Sequence, residues 1–428
     1  MNTLLIINAR ALVGAHPAGA RVLRGAQMAD AALIENGWLA IENGRISGLG
    51  QMAGLPSEIS RKAVRTIDAS GRFILPGWCD PHTHVVFAEP REGEFVDRIK
   101  GLTYQEIATR GGGILNSARK LHGMSEDELF LQAEQRLHGM MQQGTVAVEV
   151  KSGYGLSRES ELLMLRVVKR LKDSQPIPIK ATLLAAHALP QEFANDREGY
   201  INMVCSELIP EVSAEGLADH VDVFCETNYF TTAEMVRVME AGARHGLPAK
   251  VHVNQFTSIG GIQAACAHGA LSVDHLEVME EHDVRSLVDA WNNGRSAPMP
   301  TMLPSCSFFL RIPYGPARTL IDAGLPLALA TDHNPGSTPS GNMNFVYSLA
   351  CIHLRMLPEE AMNAMTLNAA AAMGLDQELG SLTVGKRGSV IITRKIPSLA
   401  YLPYAFGSDN IDTVIIDGAP VRSGEVLA

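Results

Sequence analysis

The sequence lacks the long hydrophobic runs of a membrane protein. In its 428 residues the longest apolar stretches, such as the one over residues 181–189, end well short of the roughly 20 residues that span a bilayer. The first residues, MNTLLIINARALV, also lack the basic segment that opens a secretory signal. We therefore expect a cytoplasmic protein with no membrane partner.

Positive charge and cysteine are also scarce. The chain carries 36 basic and 46 acidic residues, a net charge of −10, with no run of five basic residues, so we expect no nucleic-acid partner. Its six cysteines form no C-x-x-C pair, and we expect them to be reduced core residues. Apolar residues make up 46% of the sequence, which is enough for the large core of a globular protein.

Both ends of the chain alternate short β-prone runs with turn signals. The N-terminal runs are LLIINARALV and WLAIENGRISGLG, and the C-terminal runs are GSLTVGKRGSVIIT and DTVIIDGAPV. Two β-rich ends around a long middle segment indicate one domain built from both termini. We expect a small β-sandwich domain made of residues 1–74 and 376–428.

The middle of the chain contains eight short apolar runs, each ending in polar or titratable residues. They are FILPGWCDPHTH, TVAVEVKSGY, IKATLLAAHA, VDVFCET, AKVHVNQ, LSVDHLE, SAPMPTMLPS and LALATDHN. Continuous apolar runs are typical of buried parallel strands. Helical patterns lie between them, two opened by capping boxes at Ser125 with Glu128 and Thr231 with Glu234. The pattern predicts an α/β fold, a (β/α)8 TIM-like barrel over residues 75–375.

Polar residues at the ends of these strands indicate a metal site. The C-terminal ends of barrel strands converge on one mouth, and alternation puts His82 and His84 of DPHTH on one side of their strand. His252 and Asp332 end later strands, and together the four side chains suit a metal ion. Taken alone, an H-x-H pair also fits two surface histidines, and Asp332 also fits a helix N-cap. We expect Lys151 to be ion-paired and not a carbamylated metal bridge.

The segments PGWCDPHTHVVFA, VEVKSGYGL, HVNQF, SVDHLE and ATDHNPGSTP together resemble the amidohydrolase superfamily. The similarity covers nearly the whole chain, and FAEPR, GGGIL, KSGYGL, AAHALP and DHNPGS occur in the expected order. The resemblance implies a metal-dependent barrel hydrolase of histidine degradation. It would open the cyclic amide of 4-imidazolone-5-propanoate to give N-formimidoyl-L-glutamate, with one divalent or trivalent ion per chain, zinc or iron. We also expect a homodimer.

The resemblance implies a role for each matching residue. The metal ligands would be His82, His84, His252 and Asp332. Arg91 would bind the propanoate carboxylate of the substrate, and the other substrate contacts would be Tyr104, Tyr154, His187, Asn334, Gly336 and Ser337. His275 would lie beside the attacking water as a catalytic residue, together with Asp332.

One position departs from the pattern of many relatives. Gln255 stands where an H-x-x-E motif would place a glutamate after His252. An amide cannot accept and return a proton at neutral pH, so Gln255 can only orient or hydrogen-bond the substrate. The base must then be His275 or Asp332.

Two other functions fit the same barrel. The first is an amidohydrolase-type deaminase of a nucleobase or another cyclic amidine, although protonation of a leaving amine generally needs a carboxylic acid where this chain has Gln255. The second is an assembly protein that has lost its chemistry. Such a chain would be expected to lose metal ligands, and this one retains the full set.

Overall fold

The computed structural model describes residues 3–294 and 297–427, without the side chains of residues 104, 105 and 108. The strands are β1 (Thr3–Leu12), β2 (Ile34–Glu42), β3 (Arg45–Gln51), β4 (Arg65–Asp68), β5 (Phe73–Pro76), β6 (Trp78–Thr83), β7 (Thr145–Lys151), β8 (Ile179–Ala186), β9 (His220–Cys225), β10 (Lys250–Val253), β11 (Ser272–His275), β12 (Met299–Met302), β13 (Ala328–Leu329), β14 (Val390–Thr393), β15 (Ile411–Ile416) and β16 (Ala419–Arg422).

The helices lie mainly between the strands of the middle segment. They are α1 (Ser57–Lys62), α2 (Glu92–Ile99), α3 (Tyr104–Thr109), α4 (Ile114–Leu121), α5 (Glu126–Gln142), α6 (Arg158–Ser174), α7 (Arg197–Met203), α8 (Ile209–Ala214), α9 (Thr232–Arg244), α10 (Gly261–Ala267), α11 (Glu281–Asn292), α12 (Pro304–Leu310), α13 (Ala317–Asp322), α14 (Met343–Ile352), α15 (Pro358–Met365), α16 (Leu367–Ala372) and α17 (Tyr401–Tyr404). Short 3₁₀ turns span Gly25–Ala29, Met52–Gly54 and Gln191–Phe193, and a π-helical turn spans Val204–Leu208.

Strands β6 to β13 form a parallel sheet in which each strand pairs with its sequence neighbours. The sheet closes because the segment after β13 bonds to the end of β6. The His84 amide donates to the His333 carbonyl at 2.8 Å, and the Asp332 amide donates to the His82 carbonyl at 3.1 Å. The predicted (β/α)8 barrel is confirmed, and its C-terminal strand ends meet at one mouth.

The helices around the barrel begin where the sequence predicts. Ser125 and Glu128 form a complete capping box at the start of α5, and Thr231 and Glu234 form one at the start of α9. Each box satisfies amide donors that have no partner inside the first helical turn. Helix α5 then buries residues spaced about one turn apart, and so covers one face of strands that are buried along their full length.

The termini build a separate sheet of eight strands in the order β16-β15-β14-β5-β1-β2-β3, with β4 on β1. The ends of the chain meet where β14 pairs antiparallel with β5. Strand β1 has a register shift between Ile6 and Ala9, and Asn8 adopts φ 57° there. As a result its first half pairs with β4 and its second half with β5, and the strands enclose one apolar cluster.

The predicted composite β domain is therefore present. Its boundaries stay a prediction, and β5 lies across the expected division at residues 74 and 75. The segment from Gly380 is a strand only from Val390, because Gly380 and Gly385 adopt φ of 88° and 94° in turns. Within the described ranges, no helix is both long and apolar enough to cross a bilayer.

Candidate active site

Four side chains that the sequence singles out as metal ligands meet at the barrel mouth. His82 lies on β6 with His84 just after it, His252 lies on β10, and Asp332 follows β13. The ring centroid of His82 lies 5.3 Å from that of His84 and 4.4 Å from that of His252. All four side chains are almost completely buried.

The spacing of these atoms fits a metal ion better than hydrogen bonds. Asp332 Oδ1 lies 3.7 Å from His82 Nε2 and 3.6 Å from His84 Nε2. Two ligand atoms held about 2.1 Å from one tetrahedral ion lie roughly 3.4 Å apart. His82 Nε2 is buried and has no hydrogen-bond partner within the described part of the chain. One nitrogen of each of the three histidines lies within 4.8 Å of the others, and so the residues fit a metal ion.

Two buried aspartates lie against the histidine rings, and Asp274 is hydrogen-bonded to the ring of His82. Asp274 Oδ2 lies 2.7 Å from His82 Nδ1, and Asp222 Oδ2 lies 2.9 Å from His252 Nδ1. A carboxylate at Nδ1 favours the tautomer with a free lone pair on Nε2, as in many metal sites. Burial also lowers the pKa of both rings well below the usual value, which keeps them neutral.

Lys151 lies beneath the histidines and joins the carboxylates that lie against them. Its Nζ lies 2.6 Å from Glu149, 2.8 Å from Asp222 and 3.5 Å from Asp274, and all four side chains are completely buried. Burial alone would lower the Lys151 pKa, but the Asp222 and Glu149 carboxylates outweigh it and raise that pKa. The expected ion-paired lysine is confirmed. Lys250 pairs with Glu149 at 3.0 Å from the other side.

His275 and Asp332 both have unusual backbone and electrostatic environments. Their φ angles are 91° and 59°, in the left-handed region that non-glycine residues rarely adopt. Burial lowers the pKa of His275, but Glu277, 3.3 Å from Nδ1, outweighs it and the pKa rises to about 8. Burial raises the pKa of Asp332 to about 6. At neutral pH the pair therefore joins a cationic imidazole to a carboxylate that can take up a proton.

A cavity of about 40 Å³ opens beside these residues. Six of its lining side chains were predicted to touch a substrate: Arg91, Tyr154, His187, Gln255, Asn334 and Ser337. Four more were predicted as metal ligands or as a catalytic residue: His84, His252, Asp332 and His275. The other three, Ile114, Phe224 and Leu310, had no predicted role. The side chain of Tyr104, also predicted at the substrate, lies outside the described part. Most of the lining side chains are polar or charged, and Ile114, Phe224 and Leu310 supply the apolar part of the wall.

Arg91 contributes a buried positive charge to the cavity, with the Glu94 carboxylate 3.7 Å from its Nε as an ion partner. Its side chain is 3% exposed, and its Nε and Nη1 groups have no hydrogen-bond partner among the described residues. Gly336, predicted at the substrate, lies against it, and a Cβ there would overlap Arg91 Nη2. The guanidinium therefore needs glycine at position 336 and leaves two donors for a ligand.

His187 and Tyr154 form the opposite wall. His187 Nδ1 lies 2.9 Å from the Gly153 carbonyl, and burial lowers the pKa of the ring to about 4. The ring is thus neutral, with Nδ1–H donating and Nε2 left as an acceptor. Buried Glu161 accepts the amides of Gly153, Gly155 and Leu156 at 2.8 to 3.0 Å and so fixes the loop that carries Tyr154.

The loop after β13 holds its shape through Asn334. The Asn334 side chain accepts the amides of Gly336 and Ser337 at 2.8 and 2.7 Å, and it donates to the Asp332 carbonyl at 2.7 Å. Ser337 Oγ in turn lies 3.3 Å from Asp332 Oδ2. Asn334 and Ser337 line the cavity as predicted, and they also hold Asp332 in place.

Gln255 lines the cavity and donates to Cys306 Sγ at 3.4 Å. Sequence reasoning missed Cys306 and Glu161, and it also missed Asp222. A lone carboxylate inside the apolar run VDVFC is the signal that could have identified Asp222, because an unpaired charge in a buried strand is costly. No comparable pattern marks the apolar lining residues Ile114, Phe224 and Leu310.

Comparison with known proteins places this geometry in a family. Residues 73–421 match the model of the amidohydrolase family. The chain is 51% identical to the imidazolonepropionase of Christiangramia forsetii over 416 residues, 97% of this chain and 99% of that protein. It is 53% identical to that of Flavobacterium johnsoniae over 97% and 98% of the two chains, and 41% identical to that of Geobacillus kaustophilus over the full length of both.

The chain belongs to the imidazolonepropionase family of amidohydrolases. More distant amidohydrolases share the fold of this imidazolonepropionase family member. An adenosine deaminase from Xanthomonas campestris with bound zinc superposes with a TM-score of 0.69 at 16% identity, over 99% of this chain and 94% of that one. An N-isopropylammelide isopropylaminohydrolase from Burkholderia multivorans gives 0.70 at 17% identity, over 99% of each chain. At such low identity the likeness supports the architecture alone.

Proposed function

We infer that this protein catalyses the imidazolonepropionase reaction, a step of histidine degradation. Water opens the cyclic amide of 4-imidazolone-5-propanoate, and the product is N-formimidoyl-L-glutamate. The observation that carries this inference is the 51% identity to an imidazolonepropionase over 97% of the chain. The cavity wall has a buried arginine next to a histidine cluster, and two of its nitrogens have no hydrogen-bond partner among the described residues, which agrees with a small carboxylate-bearing substrate.

We propose that His82, His84, His252 and Asp332 hold one metal ion, either zinc or iron. The donor set of three imidazoles and one carboxylate suits both metals. When bound, such an ion lowers the pKa of water from about 15.7 to about 7 and polarises a carbonyl group. Asp274 and Asp222 orient two of the three rings for this task.

Arg91 is proposed to bind the propanoate tail. Its two unmatched donors suit the two oxygens of a carboxylate, and the buried setting strengthens such a pair. His187, neutral and with Nε2 free to accept, and Tyr154 lie on the facing wall and would orient the ring. Binding the tail thus aligns the reacting carbonyl with the residues at the mouth.

Asp332 and His275 are proposed to move the protons. Asp332 accepts a proton from the attacking water as the new carbon–oxygen bond forms. His275, held as a cation by Glu277, donates a hydrogen bond to the oxyanion. The carbon–nitrogen bond then breaks, and Asp332 delivers its proton to the leaving ring nitrogen. Gln255 takes no part in proton transfer and would hydrogen-bond the ring.

The test combines metal analysis of the purified protein with an absorbance assay for loss of 4-imidazolone-5-propanoate. We expect about one zinc or iron per chain and turnover that disappears after chelation. Failure to bind metal, or a metal-loaded protein that leaves the substrate unchanged, would overturn the proposal. Ammonia release from purines or pyrimidines would indicate the deaminase instead.

A further inference from the structure

A second group of metal-ligand side chains lies beside the first and shares no residue with it. His275, Glu277 and Cys306 each place one ligand atom within 4.8 Å of the others. Their exposures are 3%, 5% and 0%. A nitrogen, an oxygen and a sulfur donor together suit a soft divalent cation such as zinc or cadmium.

The Glu277 carboxylate gives an independent indication of a ligand. Its Oε2 atom is buried and has no hydrogen-bond partner within the described part of the chain. Leaving a carboxylate oxygen unpaired in the interior is costly, and a cation would remove that cost. Its other oxygen, Oε1, accepts from Ser307 Oγ at 3.3 Å, which anchors the side chain toward the group.

The histidine and the glutamate are spaced as two ligands of one ion. His275 Nδ1 lies 3.3 Å from Glu277 Oε1, which is longer than the 2.7–2.9 Å of a charge-assisted hydrogen bond. Two atoms coordinated to one tetrahedral ion lie roughly 3.4 Å apart. The two atoms therefore form a long hydrogen bond when no ion is bound, and their spacing also suits two ligands of one ion.

Cys306 supplies the third donor from the first turn of α12. Its sulfur accepts from Gln255 Nε2 at 3.4 Å, and the thiol is also hydrogen-bonded with the Ser337 and Asp332 side chains. A metal–sulfur bond would replace these contacts. No disulfide involves this cysteine. A thiophilic cation would displace the thiol proton, which passes to solvent, and no oxidation or reduction is needed.

We propose that His275, Glu277 and Cys306 form a second, inhibitory binding site for a thiophilic divalent cation. A bound cation would occupy His275 Nδ1, the atom that otherwise contacts Glu277. The ring could then no longer act as an imidazolium in the reaction. The inhibition rests on the proposed function, because it depends on the role of His275 as an oxyanion donor. The binding itself does not depend on that role.

The test is a titration of the metal-free protein with Cd²⁺, followed by ultraviolet absorption of the cadmium–thiolate bond. We expect the first equivalent to bind without this band and the second to bind with it. Cys306→Ser should lose the band, and Cys225→Ser should keep it, since Cys225 is an equally buried cysteine outside the group. Glu277→Gln should weaken the second equivalent at least tenfold and supplies a second variant if Cys306→Ser does not fold.

Three results would overturn the site: a single equivalent bound by the unaltered protein, a band that persists in Cys306→Ser, or a band on the first equivalent. Activity is followed in the same titration and should fall as the second equivalent binds. A protein that never turns over 4-imidazolone-5-propanoate would refute the proposed function, while the absorption titration would still decide the site.

Discussion

Arg91 places a cation in the cavity wall with two donors that nothing in the described chain satisfies. A buried cation of this kind gains most when a carboxylate arrives, because charge-assisted hydrogen bonds contribute about 1.5–3 kcal/mol. We predict that Arg91→Ala raises KM for 4-imidazolone-5-propanoate about 10- to 100-fold and changes kcat less. Steady-state kinetics will check it, and unaltered kinetics would show that the carboxylate binds elsewhere.

A substitution at Gly336, which lies against the Arg91 guanidinium, tests the same contact. A Cβ at this position would overlap the Arg91 guanidinium, so Gly336→Ala should displace that group and raise KM as Arg91→Ala does. Gly93→Ala is the control, since a Cβ there meets nothing within 4 Å. If Gly336→Ala keeps the original KM, the glycine is not needed to position Arg91.

Lys151 and Lys250 form a matched pair of buried lysines. Both bind Glu149, but only Lys151 also reaches Asp222 and Asp274, the carboxylates behind His252 and His82. We predict that Lys151→Met weakens metal binding about 10- to 100-fold, the usual effect of losing an outer partner of a ligand.

The measurement is competition for the metal with a chelator of known affinity. Lys250→Met serves as the control: each variant removes a buried cation and should lower the free energy of unfolding by about 3–5 kcal/mol. Metal affinity should fall further for Lys151→Met, because Lys151 is ion-paired with both Asp222 and Asp274, whereas Lys250 acts on Asp274 through its charge without such an ion pair. Equal affinities in the two variants would show that Lys151 has a structural role alone.

The sequence identified the ligand candidates because their side chains follow recognisable strands. His82, His84, His252 and Asp332 each end or follow an apolar run, so barrel topology alone brings them together. Glu161 and Cys306 could not be found this way. Both residues lie in helices. The packing of these helices against the barrel mouth depends on tertiary contacts, which the local hydrophobic periodicity of the sequence does not reveal.

At the scale of elements, the loop after β7 depends on one glutamate of α6. Glu161 accepts three amides of that loop, and Gly155 packs against the Glu161 backbone. In Glu161→Gln only one side-chain oxygen remains as an acceptor, so at least one amide loses its partner at a cost of about 1–3 kcal/mol. We predict a lower urea midpoint together with a raised KM, because Tyr154 shifts with the loop.

The control for this loop is Glu159→Gln on the same helix. The Glu159 side chain is 79% exposed, and its charge contributes little. Both the urea midpoint and KM should stay at their original values. If Glu161→Gln behaves in the same way, the loop is held by other contacts.

Most elements follow from local patterns, and the exceptions have physical causes. The capping boxes at Ser125 and Thr231 fix helix starts, because the side chains that satisfy the free amides are adjacent in sequence. Helix α6 ends at Ser174, two residues before Pro176, which could not continue the helix. The bend of β1 at Asn8 escaped prediction, because it depends on two partner strands, β4 and β5, more than 50 residues away.

For the whole molecule, the buried neutral histidines link stability to pH. His16 is 4% exposed, with Nε2 3.2 Å from Asn363 Oδ1, and burial lowers its pKa. Burial also lowers the pKa of His220 to about 4. The unfolded chain therefore takes up protons first as the pH falls. The stabilising contribution is complete above about pH 6.5 and is lost below it.

We predict that the free energy of unfolding, from urea titrations, falls as the pH decreases from 7 to 5. His16→Gln should reduce this dependence, because glutamine can still donate to Asn363 and does not titrate. His282→Gln, at a side chain that is 53% exposed, should not change it. An equal pH dependence in all three proteins would show that other groups carry the linkage.

Because the protein has a net charge of −10, the positions of its buried cationic groups decide where an anionic substrate is attracted. An anionic substrate gains little from the acidic molecule as a whole, so attraction has to come from Arg91 and the bound metal. The expected homodimer stays a prediction, as does the cytoplasmic location. In contrast, the barrel and the sheet built from both termini were predicted from the number and order of β-prone runs in the sequence, and the structure contains both.

The closure of the barrel brings residues of the first and last strands together at the proposed metal site. Asp80 and Thr331, 251 residues apart, are hydrogen-bonded across the point where the first and last strands meet, and the ligands His82 and Asp332 flank that junction. A growing or truncated chain that stops before the eighth strand has the histidines without the aspartate. If these four side chains hold the ion, as proposed, tight metal binding requires a chain that includes the eighth strand and has closed the barrel.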